Sequence, residues 1–162
     1  MANNYSQFSA QYKLNGREAR WVEWYFNTKD LEDLAVVPPE WLRVRGLQNV
    51  DLDDCLHDWP NFQYEIERDE NGKVTSLCLH DNAYLGWFNV EHVALFLQAF
   101  LKKFHPDGYA AFGWADTCDK PLVDAFGGGA CFVTAKKITY VNTYDWVAQQ
   151  AKRFDGRKAA RR

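Results

Sequence analysis

Asn89-Val90-Glu91-His92-Val93-Ala94-Leu95-Phe96-Leu97-Gln98-Ala99-Phe100-Leu101-Lys102-Lys103-Phe104 carries the helical period on which the fold class turns. Val90, Val93, Leu97, Phe100, Leu101 and Phe104 recur at helical spacing and define one buried stripe. Asn89 is placed to cap the first turn, with Phe88 and Val93 as a hydrophobic staple across it. Lys102, Lys103 and His105 bring cations to the end where the helix dipole is negative. Pro106-Asp107-Gly108 then stops the helix.

Upstream, Phe62-Gln63-Tyr64-Glu65-Ile66-Glu67-Arg68 alternates apolar and polar side chains. Asn71-Gly72 supplies a turn, and Lys73 to His80 returns as the second strand of a hairpin. Val74 and Leu77 fall out of alternation, so that strand is expected to carry a bulge. Ala19 to Thr28 is rich in strand formers and predicts a first strand. Between Asp30 and Asp58, Pro38-Pro39 forbids regular structure, and Leu31, Leu34, Trp41, Leu42 and Leu47 suggest short helical turns.

Downstream, Tyr109 to Thr117, Ala130 to Ala135 and Ile138 to Asn142 read as strands, the last two joined at Lys136-Lys137. Thr143 can cap a final helix from Tyr144 to about Phe154. This order predicts one α+β domain over residues 1–154. Its mostly antiparallel, twisted sheet of about five or six strands is packed by two helices. Residues 155–162 are basic and are expected to form a disordered, solvated tail.

Seven Trp, eight Tyr and eleven Phe make 16% of the chain aromatic, which promises a large core with aromatics left over for its rim. The net charge of −3 marks neither a nucleic-acid binder nor a wholesale mimic of one. Its distribution is more telling. Residues 22 to 60 hold nine acids against three bases, whereas the stretch from Lys152 to Arg162 holds six bases and one acid. Only this tail is a candidate for weak contact with phosphate. No segment approaches the roughly 18 apolar residues of a membrane span, and the first residues lack the pattern of a secretory signal. Cys55, Cys78, Cys118 and Cys131 lack the spacing of a disulfide scaffold, so a reducing cytoplasm is expected.

Candidate chemistry is sparse. Cys55-Leu56-His57-Asp58 and Cys78-Leu79-His80-Asp81 repeat one tetrapeptide. On a strand each Cys-x-His pair shares a face, so Cys55, His57, Cys78 and His80 are the candidate zinc ligands, although Cys-x-His is not a usual zinc spacing. Two buried thiols with two partly exposed histidines are the preferred reading. Cys118, beside Asp116, Asp119 and Lys120, is the candidate nucleophile. Lys120 would lower its pKa and the two acids would raise it. The common phosphate-loop, hydrolase, metalloprotease and CxxC fingerprints do not occur, and no cofactor is expected.

Gly127-Gly128-Gly129 lies between strand-like segments, so it does not open a helix as phosphate loops do. It is either a tight entry to a central strand, packed under Trp114 or Phe126, or a recognition loop with bare backbone. On the second reading Asp116, Cys118, Asp119, Lys120, Gly127, Gly128 and Gly129 would meet a ligand.

The pattern Trp114-Ala115-x-Thr117-Cys118-x-Lys120-Pro121, four residues, then Phe126-Gly127-Gly128-Gly129-Ala130-x-x-Val133-Thr134-Ala135 resembles the C-terminal half of small proteins encoded by phages and other mobile elements. Asn142-Thr143-x-Asp145-Trp146 continues the resemblance, which covers roughly residues 88 to 147. That family brings no activity to transfer; it implies an accessory protein of a bacterial host's cytoplasm. The leading expectation is a non-enzymatic binding or inhibitory protein directed at a host protein, such as a defence factor, as a monomer or small homo-oligomer. Trp41 and Trp59 would anchor that partner and Asp51, Asp53 and Asp54 would steer it. The competing expectations are a small-molecule-binding protein or enzyme centred on Asp116–Gly129 and Cys118, and a structural or assembly component.

Overall fold

The computed structural model describes residues 4–26, 42–43, 45, 60–81, 88–120 and 126–159. The expected partner residues Trp41, Asp51, Asp53, Asp54 and Trp59, together with Cys55 and His57, lie outside them.

Asn4–Gln7 (β1) and Ser9–Lys13 (β2) open the described chain and are followed by the helix Gly16–Tyr25 (α1). The hairpin Gln63–Arg68 (β3) and Val74–His80 (β4) leads to Val90–Phe104 (α2). Tyr109–Cys118 (β5), Gly127–Thr134 (β6) and Ile138–Asn142 (β7) follow, and Thr143–Ala159 (α3) ends the fold. All described pairings are antiparallel, so the class is α+β as expected. The described strands form two sheets, ordered β1-β5-β6-β7 and β2-β4-β3.

One residue, Phe8, separates β1 from β2 and passes the chain from one sheet to the other. Its ring is buried against Phe88, Phe112 and Phe62, with centroids 4.2, 5.7 and 6.5 Å away. Neither N-terminal strand was expected. Both are short edge strands, whose pairing partners lie far along the chain.

Where a strand was expected over Ala19–Thr28, the described residues form a helix, Gly16–Tyr25, and Asn27 and Thr28 lie outside the described residues. Asn15 accepts hydrogen bonds from the Arg17 and Glu18 amides, and Glu18 Oε2 accepts one from the Asn15 amide at 2.9 Å. This capping box fixes a helical start, and Ala19, Val22 and Tyr25 then fall on one buried face. The aromatic residues that suggested a strand favour packed surfaces of either kind. Trp21 lies against Phe96, Phe100 and Phe104 of α2. At the far end, Arg45 donates from Nε to Tyr25 O and from Nη2 to Trp24 O, both at 3.1 Å, and stacks on the Trp24 ring. A buried cation thus closes α1 where its carbonyls lack partners.

Asn89 caps α2 as expected, accepting from the Glu91 and His92 amides. The buried surface of α2 is wider than one stripe, because His92, Ala94 and Phe96 are buried as well. The helix lies between α1 and the inner face of the four-stranded sheet, so two of its sides are covered. The bulge expected in the hairpin is present. Glu67 pairs with Ser76 but Arg68 pairs with Val74, which leaves Thr75 extra.

Candidate functional site

The glycine run lies inside β6, between β5 and β7. It is therefore a packing device in a central strand. Gly129 pairs with Trp114 on one side and Asn142 on the other, and the Trp114 ring occupies the space where a Gly129 Cβ would stand. Gly128 has φ near +139°, a backbone conformation that L side chains rarely adopt. Gly127 makes room for Tyr144, whose hydroxyl donates to Phe126 O at 2.6 Å.

The structure brings only some of the expected ligand residues together. Asp116 pairs in register with Gly127, and Asp116 Oδ1 accepts from the Ser6 hydroxyl at 2.6 Å. Cys118 is at the end of β5, paired with Asn4, and its Sγ lies 3.9 Å from Asp119 Oδ1. Lys120 is exposed beyond the strand. Each described imidazole is engaged elsewhere. His80 Nδ1 meets Asp81 O, His92 Nδ1 accepts from the Asn61 amide, and His105 Nε2 is 2.9 Å from Glu18 Oε1.

Cys78 and His80 do share the outer face of the three-stranded sheet, as their spacing predicted. Glu67 takes the place of a metal there. It accepts from Gln11 at 2.7 Å, from Ser76, and from Cys78 at 3.4 Å. These bonds hold the Glu67 carboxyl below its usual range. Burial, followed by the Glu67 hydrogen bond and the nearby acids, pushes the Cys78 thiol up. Each of these causes favours the protonated thiol. Among the described residues no group of three or more Cys, His, Asp and Glu is placed to hold a metal ion.

Cys131 is buried under the four-stranded sheet, and burial pushes its thiol up from 9.0 to about 11. Its native state should therefore resist alkylation at pH 8 while Cys118 reacts, as peptide-resolved labelling with iodoacetamide would show. The neutral thiol is favoured by the fold, so its contribution is complete below about pH 9 and is lost as pH rises through about 11. Cys131→Ala should flatten that alkaline decline in a thermal melt series. Equal labelling of the two thiols would contradict the assigned burial.

Two grooves remain. One, of about 400 Å³, is lined by Asn89, Val90 and Glu91 at the start of α2 and by Trp114, Tyr140 and Asn142 of the sheet. The other, of about 450 Å³, includes Tyr12, Leu77, Leu97, Phe100 and Leu101, with Lys13 and His105 also in its lining.

A further uncovered feature among the described residues is a sheet face. Strand alternation sends Ala110, Phe112 and Trp114 of β5 inward and leaves Tyr109, Ala111, Gly113 and Ala115 on the opposite face, all exposed. Ala130, Phe132 and Val141 continue that face across β6 and β7. Tyr109 stacks on Phe132 with 5.1 Å between centroids, and the two are 69% and 46% exposed. Among the described strand residues of this face none is charged. Beside it, α3 exposes every described side chain from Thr143 to Phe154 except the half-buried Gln150. The sequence showed α3 as a helix but carried no sign that it would stand clear of the core.

No protein-family model matches the chain, and neither does any curated protein or solved structure. Among the described residues no helix is long and apolar enough to cross a membrane.

Proposed function

We propose that this chain is a non-enzymatic binding protein that works by protein–protein contact. In this reading it is an accessory protein of a phage or mobile element, acting on a host protein in the bacterial cytoplasm. The open, charge-free face of the four-stranded sheet carries the argument. Exposed apolar surface of this extent marks a contact site, because monomers rarely leave it uncovered. Chemistry is not assembled to match: Cys118 faces a carboxylate and the surroundings of Cys78 favour its protonated thiol. The sequence resemblance supplies the phage setting. On its charge, the acidic segment with Trp41, Asp51, Asp53, Asp54 and Trp59 would meet a basic host partner.

Capture from host lysate on immobilised protein tests this reading. Reversing Asp51, Asp53 and Asp54 to Lys should abolish retention of the captured protein, and Cys118→Ala should leave it unchanged. Retention that survives the charge reversal but disappears with Cys118→Ala would transfer the function to the Asp116–Gly129 region.

A further inference from the structure

We propose that the gap between β2 and β5 takes one further strand: an extended peptide of a protein partner, alternately polar and apolar, with an acidic end. This rests on the proposed function only in taking the ligand to be a polypeptide.

The pairing leaves two strand edges open on either side of one groove. β2 ends its sheet, with β4 on one side only. β5 is covered by β6 over Tyr109–Asp116, but β1 reaches it only over Ala115–Cys118. On their second side, Tyr109 to Trp114 therefore have no strand among the described residues. Bonds at the ends of β2 give the direction of its free groups. Phe8 O accepts from the Asp81 amide, and the Leu14 amide donates to Thr75 O. Even-numbered residues thus turn their amides and carbonyls to β4, and Ser9, Gln11 and Lys13 turn theirs away from it. Across the groove, Ala111 O accepts from the Tyr12 hydroxyl at 3.0 Å. That carbonyl, and with it the Ala111 amide, faces β2.

A tyrosine side chain spans the gap at this point, whereas paired strands lie only about 4.8 Å apart. The space is the groove of about 450 Å³, within the range of ligand clefts. An added strand would satisfy open backbone groups on both of its sides, which is what gives strand addition its affinity.

The floor sets the side chains of the peptide. Leu77 of β4 and Leu97, Phe100 and Leu101 of α2 line the groove, and all four are buried. Alternate side chains of a strand point to one side, so every second residue of the peptide would lie on this apolar floor and the others in water. Lys13 sets its charge. It lines the groove, is exposed, and takes part in no ion pair among the described residues. His105 is already held by Glu18 Oε1 at 2.9 Å. An acidic residue at the end of the peptide complements Lys13. The length follows from β2, which has five residues to pair.

The probes are acetylated heptapeptide amides of the pattern Glu-Thr-X-Thr-X-Thr-Glu, with X as Val, Leu, Ile or Phe, titrated into the full chain. At least one should bind, and more tightly than its counterpart with Lys at both ends. Lys13→Glu should reverse that order. Ala111→Pro removes an amide that faces the gap, and should weaken the best peptide about tenfold. Methylating the two central amides of that peptide keeps every side chain and should abolish binding, a result that needs no variant of the protein to fold. In hydrogen exchange the Gln11, Lys13 and Ala111 amides should gain protection with the peptide. Binding of none of the probes, or binding indifferent to the methylation, overturns the proposal, and equal affinity for both sets of ends overturns its charge. Two other occupants would also overturn it. One is a small amphiphile, shown by dodecanoate binding in the groove where no peptide does. The other is a second copy, shown by a wild-type dimer whose dissociation exposes these amides. A chain that binds no peptide but still captures host protein through Asp51, Asp53 and Asp54 would sink this inference alone. A chain that binds the peptide through these edges but captures no host protein would sink only the reading above.

Discussion

Gly128→Ala is expected to lower stability by about 3–5 kcal/mol, the sum of backbone strain and overpacking at one site. The new Cβ would stand 2.2 Å from Trp114 O and 3.1 Å from Ala115 Cα. Both belong to the backbone of the neighbouring strand and cannot yield without parting β5 from β6. The positive φ of Gly128 adds strain whatever space is made. A loss of this size is a large share of the roughly 5–15 kcal/mol that holds a domain together. Gly129→Ala should act similarly, since its Cβ would meet Val141 O at 2.3 Å and the Trp114 ring at 2.4 Å. Gly113→Ala is the control. Its nearest contact is Gly129 O at 3.4 Å, and it should be neutral or slightly stabilising. Urea midpoints for the three variants check the prediction. A Gly128→Ala midpoint equal to that of the wild type would mean that the strand is not threaded under Trp114 in this way.

Phe8→Ala is expected to cost about 3–5 kcal/mol, the range for emptying a buried aromatic site. Its effect should be distributed in a distinctive way. The ring touches Phe112 of the four-stranded sheet, Phe62 just before β3 and Phe88 just before α2, and Phe8 O accepts from the Asp81 amide at 3.2 Å. Phe8 thus anchors β1 and β2 together. Hydrogen exchange should show the amides of both strands losing protection in Phe8→Ala, while the β3–β4 hairpin turn keeps its own bonds. Phe8→Leu should recover most of the loss. Release of one strand alone would show that the two sheets do not share this anchor.

Much of the fold was legible in the sequence wherever its causes are local. The hairpin from Gln63 to His80 followed from alternation and an Asn-Gly turn, and its bulge from the displaced Val74. The α2 cap and stop followed from Asn89 and Pro106-Asp107-Gly108. Packing of the glycine run under Trp114 was one of two readings that the sequence left open. The strand expected at Ala19–Thr28 failed because aromatic residues were weighed above the Asn15-x-x-Glu18 cap, which was present to be read. β1 and β2 were not legible, since Asn4–Gln7 has a polar composition and finds its reason only in a partner a hundred residues away. The open sheet face was hidden for a related reason. β5 is apolar on both sides, with Phe112 and Trp114 on one and Tyr109 and Ala111 on the other, and such a strand reads as buried on both.

The passage of the chain through Phe8 also bears on folding kinetics. The strands β5 to β7 form a meander and β3–β4 a hairpin, each from near neighbours in sequence. The edges β1 and β2 close only by long loops, and Ser6 and Asp116 are 110 residues apart. Contacts of that separation slow folding, because the closure entropy is lost before the contact rewards it. A nascent chain would therefore carry β2 unpaired until β4 has emerged, and β1 unpaired until β5 has. Docking of residues 4–13 would then be the last and slowest phase of refolding, and the step most exposed to aggregation.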